Sequence, residues 1–277
     1  MNKKNIIKKE IVEISSLNNP KIKNIAKLIK NGSERQAFKI IIVDGLREIS
    51  EALKAGWEIK EFFYCLDLIK NNNKNEVKKI IPFSEDVYEL SKKAFEKISY
   101  KKNPDGCLAV FSYQENNLKN IELKKDPIIL ILESVEKPGN LGGIIRTAYA
   151  GGVDLIILND QKTDLYSPNV IRSSTGFIFS MPIVLASISE TIKYLDNKKI
   201  DIFATSISAK DNHFQVDFKK GGAIVFGTEA FGLSDKWLKA KVRKIRIPMI
   251  AGVDSLNVSV SVGIIVYEAI RQKKILK

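Results

Sequence analysis

Four short runs of mostly branched apolar residues constrain this chain most: Pro127-Ile-Ile-Leu-Ile-Leu132, Leu155-Ile-Ile-Leu158, Ile202-Phe-Ala-Thr205 and Ala223-Ile-Val-Phe226. A strand with one wet face alternates apolar and polar residues, whereas a strand covered on both faces reads as a continuous apolar run. Helical segments separate the runs, so the C-terminal half is expected to be α/β, a parallel sheet with helices on both sides. Ligands of such sheets sit beyond the carboxyl ends of the strands. Chemistry is therefore expected in the segments that follow the runs.

A further segment, Arg246-Ile-Pro-Met-Ile-Ala-Gly-Val-Asp-Ser-Leu-Asn257, is apolar yet broken by Pro248 and Gly252, so it cannot be regular structure. An irregular apolar segment ahead of a helix usually wraps something. Asp254, Ser255 and Asn257 suit a helix start, and Val258, Val262, Ile265, Val266 and Ala269 make one helical stripe. Ser259 and Gly263, one turn apart, leave room for another backbone.

This stretch, with Glu136-Lys-Pro-Gly-Asn-Leu-Gly-Gly-Ile-Ile-Arg-Thr-Ala148 and Ala223-Ile-Val-Phe-Gly-Thr-Glu-Ala-Phe-Gly-Leu-Ser234, resembles the three motifs of the SpoU/TrmH family of RNA ribose 2′-O-methyltransferases. One motif alone would be weak; three in order over the last ~150 residues, an ordinary domain size, are specific. The resemblance implies a SPOUT-like parallel-sheet domain with a deep trefoil knot, S-adenosyl-L-methionine as cofactor and a homodimer formed through this domain. Periodicity could not show the knot, since knots are nearly absent from proteins.

The resemblance also implies roles. Arg146 is the residue implicated in activating the ribose hydroxyl. An always-charged guanidinium is an awkward base, so stabilising the developing alkoxide or orienting a phosphate are equally open to it. Asn140 lies in the loop six residues earlier, Glu229 beside the active site, and Ser255 and Asn257 at the helix start, where capping is their alternative role. Thr205 ends a strand, Gly227 lets the cofactor approach the backbone, and Ile247, Met249 and Leu256 line its adenine pocket. Phe231 stands where the family often has Arg or a small residue, which puts a substrate contact there in doubt. Pro138 to Gly143 lacks both Gly-x-Gly-x-x-Gly and the P-loop ending, which argues against a dinucleotide.

Residues 1–113 alternate helix and strand signals: a basic helical lead-in over 1–30, a strand at Phe38–Val43, a helix at Leu46–Ala55, a strand at Ile59–Tyr64, a polar connection at 71–79, a helix at Ser91–Ile98 and a strand at Asp105–Phe111. With "Val-Asp-Gly…Glu…Ala-Leu-Lys-Ala-Gly" and "Asn-Pro-Asp-Gly-Cys-Leu-Ala", this half resembles the smaller L30e-like substrate-binding domain of many family members. The polar stretch 114–125 reads as the linker, and 126–277 as the catalytic domain.

A formal charge of +13 suits a polyanion such as RNA, although abundant Lys, Asn and Ile could also reflect genomic composition. The first 125 residues hold 25 basic against 17 acidic residues, so the grip on RNA is expected there. Only seven of the 45 basic residues are Arg, which makes each worth examining; Arg35 and Arg172 are candidate RNA contacts, Arg172 alternatively reaching a dimer partner's site. Cys65, Cys107 and His213 are too few for a metal centre or a disulfide framework. No run approaches 18 apolar residues and the N-terminus lacks the apolar core of a secretory signal, so a cytoplasmic, non-membrane enzyme is expected. Its RNA is expected to be ribosomal (23S), with transfer RNA the alternative; a non-catalytic RNA-binding protein is the reading from another class.

Overall fold

The structure, a computed structural model, describes residues 9–228, 232–253 and 255–273. The N-terminal elements are β1 (Ile11–Ile14), α1 (Pro20–Lys30), α2 (Gly32–Ala37), β2 (Ile40–Asp44), α3 (Leu46–Lys54), β3 (Ile59–Tyr64), α4 (Lys74–Ile80), β4 (Ser84–Leu90), α5 (Lys92–Ile98) and β5 (Cys107–Ser112). There follow β6 (Ile128–Glu133), α6 (Pro138–Ala150), β7 (Leu155–Asn159), α7 (Pro168–Ser173), β8 (Ile183–Leu185), α8 (Ile188–Lys198), β9 (Ile202–Thr205), β10 (Asp211–Asn212), β11 (Gly222–Phe226), α9 (Asp235–Lys239), β12 (Arg243–Arg246) and α10 (Val258–Lys273).

The chain divides into two compact units, one of residues 1–114 with 166–179 and one of 115–165 with 180–277. In the first, the strand order is β1-β4-β3-β5-β2. Here β1, β4 and β3 run parallel while β5 is antiparallel to β3 and β2. Segment 166–179 belongs to this unit through aromatic packing: Trp57 lies edge-on to Tyr166 and Phe179, at 5.7 and 5.2 Å between ring centroids, and its indole N–H donates to the Phe179 carbonyl at 2.9 Å. A buried indole N–H usually finds such an acceptor.

Two local expectations fail in this unit. Residues 11–14 form an edge strand on β4 rather than helix, because Ile11-Val-Glu-Ile14 is β-branched and finds a partner ladder. The stretch read as a polar connection contains helix α4, whose Val77 and Ile80 are buried and whose lysines face water.

The second unit holds a seven-stranded sheet, β10-β12-β9-β11-β6-β7-β8, parallel at every pairing. The four apolar runs are its centre, and every residue of β6, β7 and β11 is buried. Leu118, Ile121 and Leu123, from the polar stretch after β5, pack against the core of this unit. The small face of α10 meets α6: a Cβ on Gly143 would lie 3.7 Å from that of Ser259, and a Cβ on Gly263 would lie 3.8 Å from Thr147 Cγ2. The close neighbour expected beside Ser259 and Gly263 is thus supplied by this chain's own α6.

Candidate functional site

Because the sheet is parallel, the loops leaving β12, β9, β11 and β6, four neighbours in the sheet, emerge at one edge. They enclose a cleft of about 760 Å³, within the usual range for small-molecule sites. From the β9 loop come Thr205, Ser206 and Ile207; from β11, Phe226, Gly227 and Thr228; from β12, Arg246, Ile247 and Met249; and Lys137 opens α6. Ser255, Leu256 and Asn257 close it ahead of α10.

Local geometry explains each placement. Thr205 Oγ1 donates to the Val225 carbonyl at 2.9 Å, and Ser206 N to the Ile245 carbonyl at 2.9 Å, tying the β9 end to both neighbouring strands. Beyond β11 the chain folds back on itself, Thr228 N donating to Gly232 O at 2.9 Å and Gly232 N to Thr228 O at 3.2 Å. Gly227 sits in that fold, where a Cβ would lie 2.2 Å from the Gly232 carbonyl carbon and 2.5 Å from Leu233 N. No side chain fits there, so main chain lines the cleft. Buried Glu133, at the end of β6, accepts from Ser234 N at 3.0 Å and anchors the far end of the fold.

The side-chain nitrogen of Asn257 donates to Asn140 Oδ1 at 3.1 Å, joining the start of α10 to that of α6 at the cleft. Arg146 is exposed on α6, with no hydrogen-bond or ion-pair partner among the described residues. Thr205, Gly227, Ile247, Met249, Leu256, Ser255 and Asn257 thus come together directly, Asn140 joins through Asn257, and Arg146 shares the helix of Asn140. Glu229 and Phe231 lie outside the described residues.

Arg172 is exposed on α7 in the other unit, where it bonds Asn169 Oδ1 at 3.3 Å. Arg35 requires a correction. It is 5% exposed and donates to the carbonyls of Leu28 and Ile29 at 2.6 and 2.8 Å, terminating α1 from within. Its guanidinium is buried and bound to main-chain carbonyls rather than presented at the surface. The cleft lining also includes Lys137, Ile207 and Arg246, to which the sequence assigned no role; Lys137 and Arg246 lie within the first and third motifs and Ile207 follows a strand end, and those positions were the available signal.

A smaller cleft of about 550 Å³, lined by Glu133, Asp160, Ser187, Ser234 and Asp235 among others, takes only Ser234 from the three motifs. Among the described residues no group of His, Cys, Asp and Glu is arranged to hold a metal ion, and no helix is long and apolar enough to cross a membrane.

The sequence profile of the SpoU rRNA Methylase family matches residues 127–267, and that of the MRM3-like substrate binding domain matches residues 19–109. A Synechocystis protein described as an uncharacterized tRNA/rRNA methyltransferase is 30% identical over 272 residues, 95% of each chain. The 23S rRNA (guanosine(2553)-2′-O)-methyltransferase RlmP of Bacillus subtilis is 26% identical over 255 residues, 92% of this chain and 98% of its own. The AdoMet-bound rRNA methyltransferase structure from Sinorhizobium meliloti has a TM-score of 0.87 at 28% identity, covering 96% of this chain and 99% of its own.

Proposed function

The chain belongs to the SpoU rRNA methylase family, and from that premise we infer that it methylates a ribose 2′-hydroxyl in ribosomal RNA with S-adenosylmethionine as methyl donor. The observation that carries this reading is the convergence of three distant motifs on one cleft, sealed by the Asn257–Asn140 bond.

The cleft fits the cofactor. Gly227, where a Cβ would strike backbone, brings main-chain groups to the surface, and Ile247, Met249 and Leu256 give an apolar wall for a purine, with Thr205 at its edge. When bound, S-adenosylmethionine supplies a methyl group on a positively charged sulfur. The protein's part is to hold the 2′-hydroxyl in line with that methyl and to favour loss of its proton. Asn140, Ser255 and Asn257 offer neutral polar groups at the meeting point of α6 and α10. Arg146 stabilises the developing alkoxide, a role that suits a permanently charged, planar donor better than proton abstraction does.

Residues 1–113 act as the RNA-binding domain and 126–277 as the catalytic one, with 114–125 between them; the profile match over 19–109 supports the first assignment. The order of β12, β9 and β11, with α10 returning to pack on α6, supports a threaded C-terminal segment and hence the trefoil knot. A homodimer through the C-terminal domain is supported by Val260, Ile264 and Tyr267, spaced i, i+4, i+7 on α10; Val260 and Tyr267 are 50% and 44% exposed. A clean monomer in sedimentation velocity would remove that assembly.

Incubation with radiolabelled S-adenosylmethionine and total RNA, followed by mapping of the label, tests the function. Label at one ribose of 23S rRNA is expected. Label in transfer RNA would keep the chemistry and change the substrate, and no incorporation would overturn the reading.

A further inference from the structure

Two motif-like segments of the first unit, Val43-Asp-Gly45 with Glu48 and Asn103-Pro-Asp-Gly106, lie about 60 residues apart in sequence and converge on one half-buried ionic cluster. Asp44 Oδ2 accepts three bonds from successive residues: Ser99 Oγ at 2.7 Å, Tyr100 N at 2.7 Å and Lys101 N at 3.1 Å. Lys101 turns inward, its ammonium 3.0 Å from Asp105 Oδ2 and 3.4 Å from Glu48 Oε2. Asp105 Oδ2 also accepts from Leu46 N at 3.3 Å. Gly45, at φ +130°, adopts a backbone that side chains rarely reach, and a Cβ there would lie 2.0 Å from Lys101 Nζ.

Such a cluster is expensive to bury, since removing ions from water opposes their mutual attraction. Burial pushes the Asp44 carboxyl above its ordinary range, and Asp44 Oδ1 and Asp105 Oδ1 are buried with no hydrogen-bond partner. An apolar filling of the same space would avoid that cost. What only a polar cluster supplies is a directional hold on the 99–101 main chain. The segment held this way presents Tyr100, 42% exposed, and then exposed Lys102. Lys93 and Lys97 precede Tyr100 by seven and three residues on α5. Lys97 is exposed but donates to the Leu17 carbonyl at 2.8 Å, leaving Lys93 as the outward cation of the pair.

We propose that Tyr100 is a base-stacking platform for single-stranded RNA, that Lys102, two residues on, and Lys93, on the preceding helix, bind phosphate, and that Asp44 is the positioning residue of the platform. The proposal rests on the RNA-substrate reading above. An aromatic face fixed beside cationic side chains is how proteins hold unpaired nucleotides, the ring accepting any base and the cations tracking the backbone. The rigid clasp removes the ordering cost that a mobile loop would bring to binding.

The test is titration of a fluorescent 23S rRNA transcript with the full chain at several salt concentrations. Tyr100→Ala should weaken binding roughly tenfold or more without changing the salt slope, and Tyr100→Phe should bind like the native chain. Lys93→Gln and Lys102→Gln should each lower the slope by about one. Asp44→Asn should weaken binding and speed amide exchange at Tyr100 and Lys101, and adding it to Tyr100→Ala should weaken binding no further, as expected if Asp44 acts through the ring. Tyr100 is exposed, so its variants keep the test decisive even where Asp44→Asn fails to fold. Native protein that binds the transcript while Tyr100→Ala binds within twofold of it overturns the platform alone. Native protein that binds no RNA overturns the substrate reading as well.

Discussion

Asn257 and Asn140, 117 residues apart in sequence, meet amide to amide at 3.1 Å, and the direction of that bond is set by a helix cap. Asn257 Oδ1 is committed to Ser259 N and Ser259 Oγ at 2.9 and 2.6 Å, which leaves the nitrogen to face α6. The same side chain starts one helix and ties it to the start of another.

That double duty can be separated by Asn257→Asp, which keeps the capping oxygen but sets a second acceptor against Asn140 Oδ1. Its melting temperature should stay close to the native value because Asp caps as well as Asn. Turnover should fall roughly tenfold, the effect of replacing one hydrogen bond at the cleft by a carboxylate set against an acceptor. Asn257→Ala should lose the cap too, at about 1 kcal/mol. Thermal melts beside initial rates decide the matter, and an Asp variant with native turnover would make the bond purely structural.

Gly227→Ala should weaken cofactor binding by at least about tenfold, since its Cβ would lie 2.2 Å from a backbone carbon that cannot swing aside. RNA affinity should be nearly unaffected. Calorimetric titration with S-adenosylmethionine reads this directly; a native isotherm would take the Gly227 loop out of the cofactor site.

For Arg146→Ala the expected signature is a turnover lowered about 10²-fold or more at unchanged cofactor affinity. Arg146→Lys should not restore activity, because a point charge lacks the planar fork. Single-turnover rates at saturating RNA distinguish the outcomes: full activity refutes the role, and weaker RNA binding at native rate makes Arg146 a phosphate contact.

Near the end of α10, Arg271 grips both oxygens of Glu268 at 2.8 Å each, holding its carboxyl at about 2, below the ordinary 4.5. A depressed carboxyl adds stability that is complete above its unfolded-state value and is lost as the pH falls through the folded one. Glu268→Gln should therefore be less stable than the native chain at pH 6, by about 1 kcal/mol at most because Arg271 is exposed. The gap should narrow between pH 4.5 and 2. Urea unfolding at a series of pH values checks this, and a gap constant with pH would rule it out.

The residues explain what was legible in the sequence. The runs that became β6, β7, β9 and β11 were visible because burial on both faces confines polar residues to the strand ends, at Glu133, Asn159 and Thr205. The strand Arg243-Lys-Ile-Arg246 was not: three of its four residues are exposed, and pairing with β9 and β10 makes it a strand. Ser259 and Gly263 announced a close approach, but spacing could not say that Gly143 and Thr147 would fill it. Arginine's rarity flagged Arg35 correctly as special. A fork that reaches two helix carbonyls at once, however, is a tertiary fact with no local signature.

The detour of residues 166–179 into the first unit has a consequence for modularity. A fragment ending at Gln114 would lack Tyr166 and Phe179, so the buried Trp57 indole would lose its hydrogen-bond acceptor and its ring neighbours. The N-terminal unit is therefore not a cassette that recombination could lift out or swap with one cut. Exchange between relatives must carry the distant fourteen-residue strap along with it, which couples the inheritance of the two halves even where their chemistry is separate.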